Sequence, residues 1–318
     1  MLKTRVLLTG GNGMVGKNIL EHPIADRYEF IAPSRMELDL TNAVATQLYI
    51  RKAQPDIIIH AAGRVGGIQA NIAYPVEFLV TNMDIGRNVI LSAYNAGVPR
   101  LINLASSCMY PRNAPNPLNE GLILQGELEP TNEGYAIAKI FATRLCEYIN
   151  RESKQSGTAA VRYKTLIPCN LFGRHDKFEP EHSHLIPAII HKIHQAKMQN
   201  LGTVNIWGDG KARREFMCAG DLAAAVLQAI EDFNELPDLI NIGMGHDYSV
   251  TDYYTAVAQV IGWKGRFIYD NSQPVGMKQK LVDVTRQRSW GWKPNIDLSE
   301  GIKQAYDYYL NEQKGQWE

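Results

Sequence analysis

The 318-residue chain has no excess of either charge, few cysteines and no long apolar run, and each shortage removes a class of function. Its 33 Lys and Arg balance 33 Asp and Glu, so no net field draws it to nucleic acid or to an anionic membrane surface. The longest apolar stretches fall well short of the roughly 20 residues of a membrane-spanning helix, and no membrane partner is expected. Four cysteines (Cys108, Cys146, Cys169 and Cys218) are too few for a disulfide scaffold and share no metal-type spacing. His182 and His184 form a His-x-His pair without a carboxylate–cysteine set beside it, so no metal is expected. The first apolar run starts within five residues of Met1, and no signal peptide is expected before it. These shortages point to a soluble protein of the reducing cytoplasm.

What is present is alternation. Short apolar runs at Arg5–Thr9, Phe30–Pro33, Asp56–Ala62, Leu101–Ala105 and Ala160–Ile167 read as buried strands, and helical patterns fill the gaps, notably Met14–Glu21 and Tyr74–Ala96. Thr131 or Asn132 is placed to cap a long helix after them. Strands spaced by helices predict an α/β fold, a Rossmann-like doubly wound parallel sheet. Beyond Leu171 the texture changes: helices at Leu185–Met198, Asp221–Asp232 and from Ser249 or Thr251 to Val260, strands at Val204–Trp207 and Leu239–Ile242, and a last helix from Ser299. The expected division is a dinucleotide domain from 1–168 and about 219–246, and a smaller, partly helical substrate lobe from about 169–218 and 247–318.

Gly10-Gly11-Asn12-Gly13-Met14-Val15-Gly16 lies directly between the first strand and its helix. The first glycine permits a tight turn, the second a close approach of pyrophosphate, the third close helix–strand packing. At the end of the second strand, where NAD-binding proteins place an acid, stands Pro33-Ser34-Arg35-Met36. Arg35 suits a 2′-phosphate, with Ser34 as a donor and Asp39 on the adenine, so NADP(H) is the expected cofactor. Tyr135 and Lys139 are one helical turn apart, roughly 5–6 Å at Cβ. A neighbouring ammonium favours phenolate, so Lys139 is expected to lower the Tyr135 pKa and ready the tyrosine for proton transfer to a carbonyl oxygen.

Together these features resemble the extended short-chain dehydrogenase/reductase family, and within it the GDP-L-fucose synthase branch. The resemblance rests on Gly13-Met14-Val15-Gly16, Val65-Gly66-Gly67-Ile68, Ser106-Ser107-Cys108-Met109-Tyr110-Pro111 and Leu124-Gln125-Gly126. It continues through Leu128-Glu129-Pro130-Thr131-Asn132-Glu133, Tyr135-Ala136-Ile137-Ala138-Lys139, His184-Leu185-Ile186-Pro187-Ala188, Arg214-Glu215-Phe216 and Lys280-Leu281-Val282-Asp283-Val284-Thr285-Arg286. The blocks span nearly the whole chain in order, and the Ser-Ser-Cys and Glu-Pro-Thr-Asn-Glu segments are far more specific than the Tyr/Lys pair.

The resemblance implies a GDP-linked 4-keto sugar as partner, epimerised and then reduced in one pocket. Cys108 is the implied base and His184 the implied acid; taken alone, Cys108 reads as an inert buried thiol. Ser106 and Tyr135 are implied as oxyanion donors, with Ser107 as the alternative to Ser106, and Lys139 on the nicotinamide ribose. The implied cofactor set is Gly10, Asn12, Gly13, Met14, Val15, Gly16, Arg35, Asp39, Leu40, Ala62, Lys139, Pro168, Asn170, Leu171 and His184. Lys192, Arg214 and Lys280 are the implied diphosphate cations, Asn170 and Ser107 further sugar contacts; Trp207 packs either on the nucleotide or in the lobe core. The family pairs two long helices per subunit, which makes Tyr74–Ala96 and Tyr135–Asn150 the expected faces of a homodimer.

Departures bear on the sugar. Gly11-Asn12 stands where a basic residue is usual, Gly134 replaces a proline, and Lys192 replaces an arginine; Phe172-Gly173-Arg174 and Met217–Asp221 also differ. Besides GDP-L-fucose formation, the residues admit GDP-L-colitose formation or reduction of a GDP-4-keto-heptose. A non-catalytic NADP-sensing module is the reading from another class, and Ser106, Tyr135 and Lys139 together weigh against it.

Overall fold

The computed structural model describes residues 3–156, 161–179, 183–272 and 277–315. Along the chain run β1 (Arg5–Thr9), β2 (Glu29–Ile31), β3 (Ile57–His60), β4 (Arg100–Leu104), β5 (Arg162–Pro168), β6 (Asn170–Phe172), β7 (Thr203–Trp207), β8 (Arg213–Arg214) and β9 (Phe216–Cys218). Then come β10 (Leu239–Ile242), β11 (Tyr248–Ser249), β12 (Arg266–Asp270) and β13 (Gln279–Lys280). The helices that matter here are α1 (Met14–Leu20), α2 (Ala43–Ala53), α3 (Ile68–Ala73), α4 (Pro75–Asn95), α5 (Glu133–Ser156), α6 (Leu185–Met198), α7 (Ala219–Glu231), α8 (Val250–Ile261), α9 (Thr285–Trp290) and α10 (Leu298–Gly315).

Six strands form one parallel sheet in the order β10-β5-β4-β3-β1-β2. Such a sheet is covered on both faces, so its strands read as continuous apolar runs rather than alternating ones. Val6, Leu8, Ile57, Ile59 and Ile102 share one core with Ile19 of α1 and Leu222 and Val226 of α7. Their strand neighbours Leu7, Ile58 and Leu101 point the other way, against Ile50 of α2, Val89 and Ile90 of α4, and Cys146 of α5. From β1 the chain goes to one side for β2 and to the other for β3. That reversal opens a crevice between the loops at the carboxyl ends of β1 and β3, where open α/β sheets take their ligands.

A second core is built from Ile186, Ile189, Ile190 and Ile193 of α6, Val204 and Ile206 of β7, Val257 of α8 and Tyr309 of α10. The parallel pair β6–β9 stitches the two cores together. Phe172 and Phe216 enter the second core, while the adjacent Leu171 and Met217 pack on the first. A three-stranded sheet, β11-β8-β13, lies beside this pair.

Most expected elements lie within a residue or two of their places, and the differences have local causes. The second strand stops at Ile31, before Ala32-Pro33. Neither Thr131 nor Asn132 caps α5: a 3₁₀ turn, Pro130–Asn132, leads into it, the Glu129 carboxylate accepts the Thr131 N–H, and the buried Asn132 Oδ1 has no hydrogen-bond partner among the described residues. Ala160 and His182 lie outside the described residues, and β5 begins at Arg162. Ser249 is the cap of α8, in a reciprocal box with Asp252. The pairings of β8, β11 and β13 had no counterpart in the sequence reading, because two-residue strands leave no periodic signal. No helix among the described residues is long and apolar enough to cross a membrane.

His60, at the end of β3, is 2% exposed and its Nδ1 is 2.9 Å from the Thr9 hydroxyl at the end of β1. Burial first, and then Lys139, push its pKa down to about 3. Folded His60 therefore stays neutral where the unfolded chain takes a proton. Its contribution to stability is whole above pH 6.5 and is lost as the pH falls from 6.5 towards 3. His60→Gln should flatten the fall in urea-unfolding free energy across that window; a slope equal to that of the native chain would contradict this.

Candidate functional site

At the crevice, Gly10 has φ +75°, and a Cβ there would lie 2.8 Å from the Ala62 backbone. A Cβ on Gly16 would lie 2.3 Å from the Gly10 carbonyl and 2.6 Å from Gly11 Cα. Only hydrogen fits at either position, so α1 starts hard against the strand end. Gly13 is the N-cap of α1 and offers no side-chain acceptor, and the first turn of the helix has no acid. The cradle formed by Gly10, Asn12, Gly13 and Gly16, with Met14 and Val15 in the first turn, thus suits an anionic group that a side chain would otherwise fill. Ala62 closes it from β3, its N–H on Thr9 Oγ1 at 3.3 Å.

Beyond β2, Ser34 and Glu37 hold a turn reciprocally, Ser34 N–H to Glu37 Oε2 at 2.7 Å and Glu37 N–H to Ser34 Oγ at 3.3 Å, with Arg35 exposed between them. Asp39 is engaged by Thr41 through its N–H and hydroxyl, and the Leu40 carbonyl accepts from Asn88. Arg35 is therefore the cation this rim presents to solvent, while the Asp39 carboxylate already has donors.

The second group of residues converges past β4. Ser106 opens a 3₁₀ turn, Ser107–Met109, and its Oγ accepts the Cys108 N–H at 3.3 Å. Ser106 is half-buried, whereas Ser107 and Cys108 are buried. Above them α5 brings Tyr135, edge-on to Phe78 at 6.5 Å between centroids, and Lys139, whose Nζ donates to the Leu104 carbonyl at 2.9 Å. That Nζ lies 5.7 Å from the Tyr135 ring centroid. The expected lowering of the Tyr135 pKa is not what this arrangement produces. Burial drives the phenol upward, Cys108 adds to the rise, and Tyr135 stays protonated. The ammonium itself feels the burial: the Lys139 pKa falls to about 8, with Cys108 opposing the fall.

Burial also raises the Cys108 thiol, against the pull of Lys280, Ser106 and Lys139, in that order. Lys280 reaches further. It acts as well on His184, an exposed residue that caps the start of α6 without a side-chain cap bond. Protein packed around its ring, then Lys177 and Lys280, hold the imidazole below its ordinary pKa, so His184 is neutral near pH 7. Arg214 pairs with Lys280 across β8 and β13, and both lie within reach of the Glu129 carboxylate. Asn170 donates to the Glu215 carbonyl at 2.9 Å, Pro168 ends β5 opposite Ile242, and Leu171 follows in β6.

Cys108 thus interacts with Tyr135, Lys139 and Lys280, and Lys280 with His184 and Arg214, so the six form one electrostatically linked group. Lys192 and Trp207 stand on the second core instead: Lys192 Nζ donates to the Asn205 carbonyl at 2.9 Å, and Trp207, two residues on, is exposed. Four residues at the cleft had no role in the sequence reading: His60, Glu129, Lys177 and Glu215. Glu129 and Glu215 lie inside blocks quoted for the resemblance, but their sequence gives no sign of what their carboxylates meet. No group of three or more His, Cys, Asp or Glu able to hold a metal occurs among the described residues.

Known proteins resemble this chain over most of its length. The profile of the NAD dependent epimerase/dehydratase family matches residues 6–243. A GDP-L-colitose synthase of Yersinia pseudotuberculosis is 51% identical over 308 residues, covering 97% of this chain and 98% of the relative. A GDP-L-fucose synthase of Azorhizobium caulinodans is 49% identical over 306 residues, 96% of each. Among solved structures, a GDP-mannoheptose C4 reductase from Campylobacter jejuni with NADP bound has a TM-score of 0.84 at 31% identity, over 97% of this chain and 98% of that one.

The cradle can be tested without a substrate. Gly16→Ala drives a methyl into backbone that cannot yield, at a cost of about 1–3 kcal/mol. Nicotinamide dinucleotides should raise the melting temperature of the native chain and leave that of Gly16→Ala unchanged. A variant stabilised as much as the native chain would contradict this reading of the cradle.

Proposed function

This chain belongs to the NAD dependent epimerase/dehydratase family, and from that membership we propose that it is an NADPH-dependent epimerase/reductase converting a GDP-linked 4-keto-6-deoxyhexose to GDP-L-fucose. The observation that supports it most is the gathering of two chemistries in one linked group: a thiol and an exposed imidazole under a shared lysine, beside a protonated tyrosine with a buried ammonium.

A 4-keto group acidifies the hydrogens on C3 and C5, because the carbanion left behind is delocalised onto O4. Inverting such a centre needs a base on one face and an acid on the other. Cys108 takes the proton in the thiolate form that Lys280 and Lys139 favour against burial, and His184, once it has taken up a proton from solvent, returns that proton from the opposite side. Tyr135 and Ser106, or Ser107 in its place, donate to O4 while it bears the enolate charge. NADPH, when bound in the cradle with Arg35 at its 2′-phosphate, supplies the hydride that reduces C4. Tyr135 then gives its proton to O4, and the Lys139 ammonium offsets the phenolate left behind. Arg214 and Lys280, with Lys192 and Trp207 on the second core, are assigned to the diphosphate and nucleotide.

The same reading assigns residues 1–168 and about 219–246 to the dinucleotide and the remainder to the GDP-sugar. It makes the protein a cytoplasmic homodimer. The support for a dimer is that Val76 and Val80 of α4, and Ile137 and Tyr148 of α5, are exposed apolar side chains on helices that pack against each other. A second reading, GDP-L-colitose synthesis with inversion at C5 of a 3,6-dideoxy sugar, is favoured by the 51% identity to the Yersinia enzyme.

Presenting GDP-4-keto-6-deoxymannose, its 3-deoxy counterpart and a GDP-keto-heptose in parallel separates the readings, with NADPH loss and product stereochemistry recorded. The first sugar should turn over fastest and emerge as GDP-L-fucose. Preference for the 3-deoxy sugar would establish the second reading, and reduction of the heptose alone, without inversion, would sink both. Tyr135→Phe should cut NADPH oxidation by about 10²–10⁴-fold while leaving solvent-deuterium exchange at C5 measurable. Cys108→Ser should suppress exchange and spare cofactor binding; exchange at the native rate would refute its role.

A further inference from the structure

Glu215 is the least expected group near the cleft: a carboxylate 1% exposed, between Arg214 and Phe216. Its oxygens accept three backbone N–H groups, Met244 at 2.7 Å and Gly245 at 2.8 Å on Oε1, and Val282 at 2.9 Å on Oε2. Its own N–H donates to the Lys280 carbonyl at 3.2 Å, and its carbonyl accepts Asn170 Nδ2 at 2.9 Å. Gly243 leaves the room: a Cβ there would be 2.5 Å from Oε1. One residue therefore binds the chain twice just after Lys280, at the Lys280 carbonyl and at the Val282 N–H.

The need for such a clamp follows from the strand that presents Lys280. β13 is two residues long and pairs with an equally short β8, and a ladder of that length holds little by itself. Lys280 nevertheless has to keep an ammonium beside Cys108 and His184 at a cost in hydration that depresses its own pKa. Keeping a carboxylate this deep is also costly. Even with three N–H donors, burial pushes the Glu215 pKa up to about 7. An apolar residue would pack there without that cost, but it could not accept hydrogen bonds from three separate N–H groups.

We propose that Glu215 is the positioning residue that fixes Lys280 against Cys108, by clamping the backbone that leaves that lysine to the loop after β10. The inference rests on the reading of Cys108 as the proton-transfer thiol, yet it is measured by a property that needs no sugar. Lys280 acts on Cys108 by favouring its thiolate, and thiolate is the form that iodoacetamide alkylates. In Glu215→Gln the amide turns an N–H₂ towards a backbone N–H, two donors face each other, and the side-chain half of the clamp is lost, which loosens Lys280.

The experiment follows alkylation of Cys108 in the full-length protein by peptide mapping. It compares the native chain, Glu215→Gln, Lys280→Met and the double variant, with NADP(H) affinity measured on each. Glu215→Gln and Lys280→Met should each slow alkylation roughly three- to tenfold, as a rise of half to one unit in the thiol pKa requires. In the Lys280→Met background Glu215→Gln should add nothing, because it acts through that lysine. A native rate in Glu215→Gln, or an additive slowing in the double variant, would overturn the proposal. If Glu215→Gln loses NADP(H) binding through misfolding, Glu215→Asp takes its place. Its shortened carboxylate keeps the charge and withdraws from one of the two anchor points, so a native alkylation rate there would overturn the proposal equally. The outcome is independent of the sugar panel. Failure there with the alkylation pattern intact would remove the proposed reaction and leave the clamp standing.

Discussion

The site depends on one buried charge. The Lys139 ammonium, 8% exposed, is pinned to the carbonyl of Leu104, the last residue of β4. That bond ties α5 to the sheet just before the chain runs on through Ser106-Ser107-Cys108. An ammonium out of water is expensive unless it is hydrogen-bonded, and the pKa of about 8 reflects that cost. In return, α5 cannot rotate or slide without breaking the contact, so Tyr135, one turn earlier, is held over the thiol. The same burial that fixes the lysine keeps the phenol protonated. Burial, more than the neighbouring cation, sets the proton state of the tyrosine.

The second core completes the site from the opposite wall. Strands β6 and β9 belong to both cores through alternate side chains, so Asn170 and the Arg214–Phe216 segment are carried by whichever core moves. Lys280 and Arg214 arrive on two-residue strands that could not fold alone, and Glu215 joins them to the loop after β10. The result is a row of charge in which Lys280 links the Arg214 guanidinium to the thiol–tyrosine–lysine group. That distribution fits a substrate with a diphosphate at one end and a ketone at the other.

Much of this was legible in the sequence. The β1–α1 glycines, the Ile57-Ile58-Ile59 strand, α4 and α6 announce themselves through apolar runs, periodicity and turn residues. The residues proposed for catalysis could be singled out because they lie in short, specific blocks. What could not be read was set by distant contacts. The Tyr135 pKa followed from burial, not from its i+4 neighbour, and burial is a tertiary property. Glu129, Lys177 and Glu215 looked like ordinary charges until folding placed them beside Arg214, His184 and Lys280. The cap of α5 was misplaced for a different, local reason: a 3₁₀ turn begun by Glu129-Pro130 looks, in sequence, like one more stretch of helix-starting residues.

The central claim is that one cleft first exchanges protons at carbon and then accepts hydride at the neighbouring carbonyl. Turnover of GDP-4-keto-6-deoxymannose by the native protein in D₂O with protiated NADPH, followed by NMR of the product, tests it most directly. The account predicts deuterium at C3 and C5 and protium at C4, since the first two hydrogens come from solvent through Cys108 and His184 and the third from the cofactor. Protium retained at both C3 and C5, or deuterium at C4, would contradict it.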